Sequence, residues 1–182
     1  VYAPALELGE FTPFSMLPDR REEIDGHEVR NHDDRYDGQV SLYDALVRSK
    51  NTTATWLLNE IGIKNAKKYL EKMDIHIEDK GLSIALGGLK EGISPLQMAE
   101  AYRTFNHNGE KVDAHVIVEI YNHKDQIVAK RDVKPQKVFS DQVAWTMTEM
   151  LKDVVKKGTA RAGYYPYELA GKTGTTQHVS VE

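Results

Sequence analysis

The chain has 182 residues, a length that fits one domain and buries roughly 70% of its unfolded surface without disulfide or metal staples. Lys+Arg of 24 against Asp+Glu of 28 gives a net charge of −4, which argues against a dedicated nucleic-acid binder. Zero cysteines exclude a disulfide scaffold, a thiol nucleophile and a Cys-ligated zinc site, and no apolar run approaches the ~18 residues that span a bilayer.

In chain order, residues 1–8 read as a short helical tail that starts at Val1 without a Met or a basic leader; with the unpunctuated stop at Glu182, this predicts an excised segment of a longer polypeptide. Residues 9–40 are polar and irregular, and the mixed charges of Asp19-Arg20-Arg21-Glu22-Glu23 suit a solvated surface. Ser41 followed by Asp44 has the form of an N-cap with an acidic third residue and predicts a helix over 42–48. A second helix, over 53–61, carries Ala54, Leu57, Leu58 and Ile61 on one face and stops at Gly62. A third, over 64–72, turns Ala66, Tyr69, Leu70 and Met73 inward and Lys64, Lys67, Lys68 and Lys72 outward.

The Gly-interrupted apolar stretch 82–89 reads as a buried loop or turn. Ser94-Pro95 supplies N-cap and first residue of a helix whose apolar face is Leu96, Ala99, Tyr102 and Phe105, ending at Asn108-Gly109. Residues 115–121 and 126–131 flank a polar turn and predict a β-hairpin. Ser140 caps a helix over 141–157 with the stripe Val143, Met147, Met150, Leu151 and Val154; Lys156 and Lys157 sit at its negative end, and Gly158 stops it. Residues 167–176 read as a strand. The class is α+β, mainly helical, and a lone terminal strand needs partners.

Few residues offer chemistry. The seven histidines form no tight ligand pair, Gly87-Gly88 lacks the Lys-Ser/Thr of a phosphate loop, and no G-x-S-x-G elbow is present. Two short motifs remain: Ser49-Lys50-Asn51 at a break between helices, and Lys172-Thr173-Gly174-Thr175-Thr176 on the terminal strand. Alone, S-x-N is weak, with roughly half a chance occurrence expected, and a helix-junction cap explains it. Lys-Thr-Gly is rarer, at roughly a few hundredths.

Together they mean more. A hydroxyl and an amide facing a lysine and several threonines supply a proton relay, a carbonyl-binding amide and a cation for a carboxylate. Gly174, with no Cβ, lets an extended ligand approach, and the N–H after it can point at a developing oxyanion. This is equipment for acyl transfer on a substrate with a free carboxylate.

The pair resembles the second and third signatures of the penicillin-recognising serine acyltransferases. The flanks sharpen the likeness: Ala45-Leu46 ahead of Ser49-Lys50-Asn51, then Leu82-Ser83-Ile84-Ala85-Leu86-Gly87-Gly88, Ser94-Pro95-Leu96-Gln97-Met98-Ala99, Ala101-Tyr102 and Asn108-Gly109. Met147-Thr148-Glu149-Met150-Leu151 and Gly158-Thr159-Ala160 also precede the Lys-Thr-Gly strand as in class A penicillin-binding protein transpeptidases. The first signature, S-x-x-K, is absent: no Ser in the chain has Lys three residues on.

That resemblance implies a β-lactamase/transpeptidase-like fold, here as residues 1–182 of a partial transpeptidase domain lacking the nucleophile's motif and the C-terminal sheet strands. It implies Ser49, Asn51 and Lys172 in catalysis and Thr173, Gly174, Thr175 and Thr176 in substrate binding, with Lys50 facing solvent. Peptidoglycan stem peptides and β-lactams are the implied partners. No metal or organic cofactor is implied, nor any nucleic acid. An upstream membrane anchor and glycosyltransferase domain are expected in the parent, on the extracytoplasmic face of the membrane. A non-catalytic penicillin-recognising sensor or scaffold, and a serine β-lactamase of the same fold, are the alternative readings.

Overall fold

The computed structural model describes residues 1–24, 27–161, 163 and 165–174. Along the chain run α1 (Tyr2–Glu7), β1 (Met16–Asp19), β2 (Glu22–Ile24), β3 (His27–Val29), β4 (Gly38–Ser41), α2 (Leu42–Val47), α3 (Asn51–Ile61) and α4 (Ile63–Glu71). A 3₁₀ helix (Leu82–Leu86) follows, then α5 (Pro95–Asn106), β5 (Glu110–Lys111), β6 (Glu119–Tyr121), β7 (Ile127–Lys130), β8 (Gln136–Lys137) and α6 (Asp141–Lys157). The strands pair two by two, all antiparallel: β1 with β4, β2 with β3, β5 with β8, β6 with β7.

The helix starts follow their caps. Ser41 accepts the Asp44 N–H, Ser140 accepts the Val143 N–H, and Ser94 with Gln97 forms a reciprocal capping box behind Pro95. The core forms where α1, α2, α3 and α6 meet, around Ala5, Leu42, Ala45, Leu57, Leu58 and Val154, all fully buried. Phe139, just ahead of α6, stacks between Tyr69 and Phe105 at centroid distances of 5.3 and 5.5 Å.

Several expectations are corrected. The segment 1–8 is no tail: Ala3, Pro4, Ala5 and Leu6 of α1 are buried in the core. The irregular stretch 9–40 contains four short strands, and Asp19 in its charge cluster is buried. Of the stretch 82–89 only Leu82 is buried, because the 3₁₀ helix lies on the surface and turns out at Gly87. The apolar face of α5 is open along Leu96, Ala99 and Tyr102, since the helix leans on α6 and β5 through Thr104 and Phe105. No strand forms over 167–174, and Thr175 and Thr176 lie outside the described residues.

One junction positions the site. The Tyr43 hydroxyl of α2 donates to the Asp153 carboxylate of α6 at 2.5 Å, and the Lys157 ammonium lies 5.1 Å from the Tyr43 ring. At the end of α6, Gly158 abuts the Val47 carbonyl of α2, and the Thr159 N–H donates to that oxygen at 3.4 Å. The chain then returns: Gly171 N–H donates to Leu151 O at 3.2 Å, and Glu168 pairs with Lys152 and Lys156 at 2.7 and 3.2 Å. Helix α6 is therefore the shared wall that brings residues 49 and 172 together.

Candidate active site

Ser49 ends α2 at a position glycine usually fills. Its φ is +55°, its N–H donates to Leu46 O at 3.2 Å, and the next N–H, of Lys50, donates to Ala45 O at 2.9 Å. This is a Schellman closure with a non-glycine at the left-handed position, at a cost of about 1–2 kcal/mol. The backbone reverses there, so the Ser49 hydroxyl stands clear of α2 and α3 starts at Asn51.

Lys172 meets that hydroxyl. Its Nζ donates to Ser49 Oγ at 2.5 Å, to the Thr173 carbonyl at 3.1 Å and to Thr173 Oγ1 at 3.4 Å. Lys172 is half-buried, and burial pushes its ammonium below the ordinary lysine value. Thr173 Oγ1 also lies 2.7 Å from the Thr159 hydroxyl, while Thr173 itself is exposed. Among the described residues nothing stands within 4 Å of where a Cβ on Gly174 would sit.

Asn51 looks the other way. Its Nδ2 donates to the Arg30 carbonyl at 2.9 Å, between β3 and β4. That bond fixes the amide's orientation and leaves the second Nδ2 proton and the Oδ1 acceptor for another group. The structure therefore joins Ser49, Lys172 and Thr173 directly and sets Asn51 on the adjoining first turn of α3.

Lys50 is the correction. Expected in solvent, it is one of the largest fully buried side chains, with Nζ 2.7 Å from the Arg35 carbonyl and 3.1 Å from Asp19 Oδ2. Asp19 accepts in addition from Asn31 Nδ2, the Asp37 N–H and Thr52 Oγ1. Burial alone would raise the Asp19 pKa; those donors and Lys50 outweigh it and hold the carboxyl below its usual range. Thr159 was missed as well. Its place in Gly158-Thr159-Ala160 was visible, but nothing in the sequence paired it with Thr173. No cluster of three or more His, Cys, Asp or Glu side chains suited to a metal ion occurs among the described residues.

Solved structures share this fold. The D,D-transpeptidase domain of a peptidoglycan glycosyltransferase from Eggerthella lenta superposes at a TM-score of 0.80 with 19% identity, over 98% of this chain and 52% of that one. Penicillin-binding protein A from Mycobacterium tuberculosis gives 0.82 with 22% identity, over 98% and 46%. The fold is thus that of the β-lactamase/transpeptidase group.

Sequence goes further than fold. Residues 1–182 match the model of the penicillin binding protein transpeptidase domain, and penicillin-binding protein 1F of Bacillus subtilis is 44% identical over the whole chain and 25% of its own length. The chain belongs to the penicillin-binding protein transpeptidase family, in its class A branch. It spans about a quarter of the length of such relatives.

Proposed function

We propose that residues 1–182 are the part of a serine D,D-transpeptidase domain that carries its S-x-N and K-T-G elements, with the nucleophilic serine on an S-x-x-K segment elsewhere in the parent polypeptide. The observation that carries the reading is the 2.5 Å hydrogen bond from Lys172 to Ser49, which joins two motifs far apart in sequence.

In that reaction the serine hydroxyl attacks the penultimate D-Ala carbonyl of a stem peptide. Its proton passes through Ser49 to the leaving D-Ala nitrogen, and an ester to the enzyme remains. The amine of a second stem then attacks the ester, forming the cross-link and regenerating the serine. Splitting amide exchange this way replaces one hard step with two easier ones. Asn51, oriented by Arg30, donates its second amide proton to a substrate carbonyl and fixes its register. Lys172 and the hydroxyls of Thr173 and Thr175 receive the terminal carboxylate. The Thr175 N–H is assigned half of the oxyanion hole, and Gly174 and Thr176 a part in substrate binding. A missing oxyanion donor typically costs about 3–4 kcal/mol. β-Lactams acylate the same serine, and the parent works on the extracytoplasmic face of the membrane. No helix among the described residues is long and apolar enough to cross a membrane.

The test uses a fluorescent penicillin. The 182-residue chain should form no covalent adduct, whereas the parent polypeptide, with its S-x-x-K segment, should label. A label on the short chain would overturn the account of the nucleophile. A folded parent that stays dark would overturn the transpeptidase reading.

A further inference from the structure

The middle residue of the Ser49-Lys50-Asn51 triplet is the least expected feature of the site. The Lys50 side chain is 1% exposed, and Asp19, its closest carboxylate, is 0% exposed. A buried ion pair of this kind is weak evidence for stability, because desolvation offsets the attraction; its better-attested use is to specify one geometry. Here the geometry specified is that of the motif itself.

Each residue from 50 to 52 reaches into the segment between β1 and β4. The Lys50 ammonium takes the Arg35 carbonyl at 2.7 Å and Asp19 at 3.1 Å, with Asp37 and Asp33 further out at 3.7 and 3.8 Å. Asn51 takes the Arg30 carbonyl at 2.9 Å. Thr52 donates its hydroxyl to Asp19 at 2.8 Å and its N–H to Asn31 Oδ1 at 3.2 Å. Ser49, immediately before, sits at a φ of +55° that surrounding contacts must hold in place. Lys172 holds the Ser49 hydroxyl itself. The ammonium on its long stem serves a carbonyl and a carboxylate at once in that buried pocket; a lysine turned to the surface would remove both of those ties.

We propose that Lys50 is a positioning residue for the reaction. Its buried ammonium, bound by Asp19 and the Arg35 carbonyl, locks the turn that presents the Ser49 hydroxyl to Lys172 and sets Asn51 on the first turn of α3. The proposal rests on the transpeptidase reading above.

The experiment measures melting temperature, non-covalent penicillin affinity and the saturating acylation rate of the parent polypeptide. Wild type must label first; its failure to do so would count against the transpeptidase reading and not against Lys50. Lys50→Met should lower the saturating acylation rate by about 100-fold, as a displacement of about 1 Å does, with much less effect on affinity. It should also lower the melting temperature, because Asp19 is left as a buried, uncompensated charge. Adding Asp19→Asn removes that charge, so the double variant should regain melting temperature while acylation stays low. Acylation that returns together with stability, or wild-type acylation in Lys50→Met, would overturn the proposal. Should neither methionine variant fold, Lys50→Arg decides. Its planar fork keeps the charge but not the ammonium's contacts, so slowed acylation at a near-normal melting temperature supports the role, and an unchanged rate refutes it.

Discussion

Lys172 is charged, half-buried and hydrogen-bonded to hydroxyl and carbonyl oxygens, and burial lowers its pKa from the ordinary 10.5. In the unfolded chain it keeps its proton up to that ordinary value, and in the folded chain it releases it earlier. Between the two values the unfolded state binds more protons, so the Lys172 contribution to stability rises with pH across that window and opposes folding below it. A lysine whose pKa is depressed by burial beside a hydroxyl fits the chemical role proposed above. Lys172→Ala should therefore leave the melting temperature at pH 7 unchanged or slightly higher, while acylation of the parent falls by about 100-fold or more. If Lys172 binds the substrate carboxylate as proposed, the same shift sets the alkaline limb of the acylation profile, and the rate should decline below the usual lysine range. A loss of stability that matches the loss of rate in Lys172→Ala would make the residue structural instead.

The two motifs meet because α2 and α6 abut, and a glycine makes that contact. A Cβ on Gly158 would lie 2.3 Å from the Val47 carbonyl, two residues before Ser49. Gly158→Ala should cost about 1–3 kcal/mol as an overpacked contact and slow acylation as well, by pushing Ser49 from Lys172. Gly174→Ala is the contrast. Its Cβ meets nothing among the described residues, so on the proposed reading stability should stay within about 0.5 kcal/mol while acylation drops through a clash with the ligand. Melting curves beside labelling rates distinguish the two glycines; a Gly174→Ala variant that labels normally would remove the steric role assigned to it.

The helices were legible because the information for each is local: a serine cap, an apolar stripe and a stop within one stretch of chain, as at Ser41, Ser94 and Ser140. The strands between residues 16 and 41 were not. β1 reads Met-Leu-Pro-Asp and buries Leu17 together with Asp19, so a charged residue occupies an inward position and breaks the apolar alternation. That buried aspartate is also the partner that hides Lys50. From sequence a lysine reads as solvated unless its carboxylate is known, and Asp19 lies 31 positions from Lys50, on the β1 strand that pairs with β4. The strand expected over residues 167–176 does not form over 167–174, the described part of that range.

Across the whole molecule, order is concentrated where Ser49 and Asn51 are held. α3 carries seven buried residues, from Thr52 to Ile61, whereas no residue of β6 or β7 is buried. The β6–β7 ribbon shows apolar side chains to solvent, Ile120 and Tyr121 on one strand and Ile127 and Val128 on the other, with a register shift between Ile120 and Tyr121. A two-stranded ribbon of this kind is marginal when it packs chiefly on itself. Opening it exposes little new apolar surface, so it should open far more often than the core. Hydrogen exchange on the 182-residue chain should show β6 and β7 amides exchanging orders of magnitude faster than those of α3 and the middle of α6. Within α3 the slowest amides should be those of Leu57 and Leu58, which are fully buried. Ribbon protection equal to that of α3 would mean that a contact covers the ribbon in solution, and the site would then belong to a larger rigid body than the α1–α2–α3–α6 core.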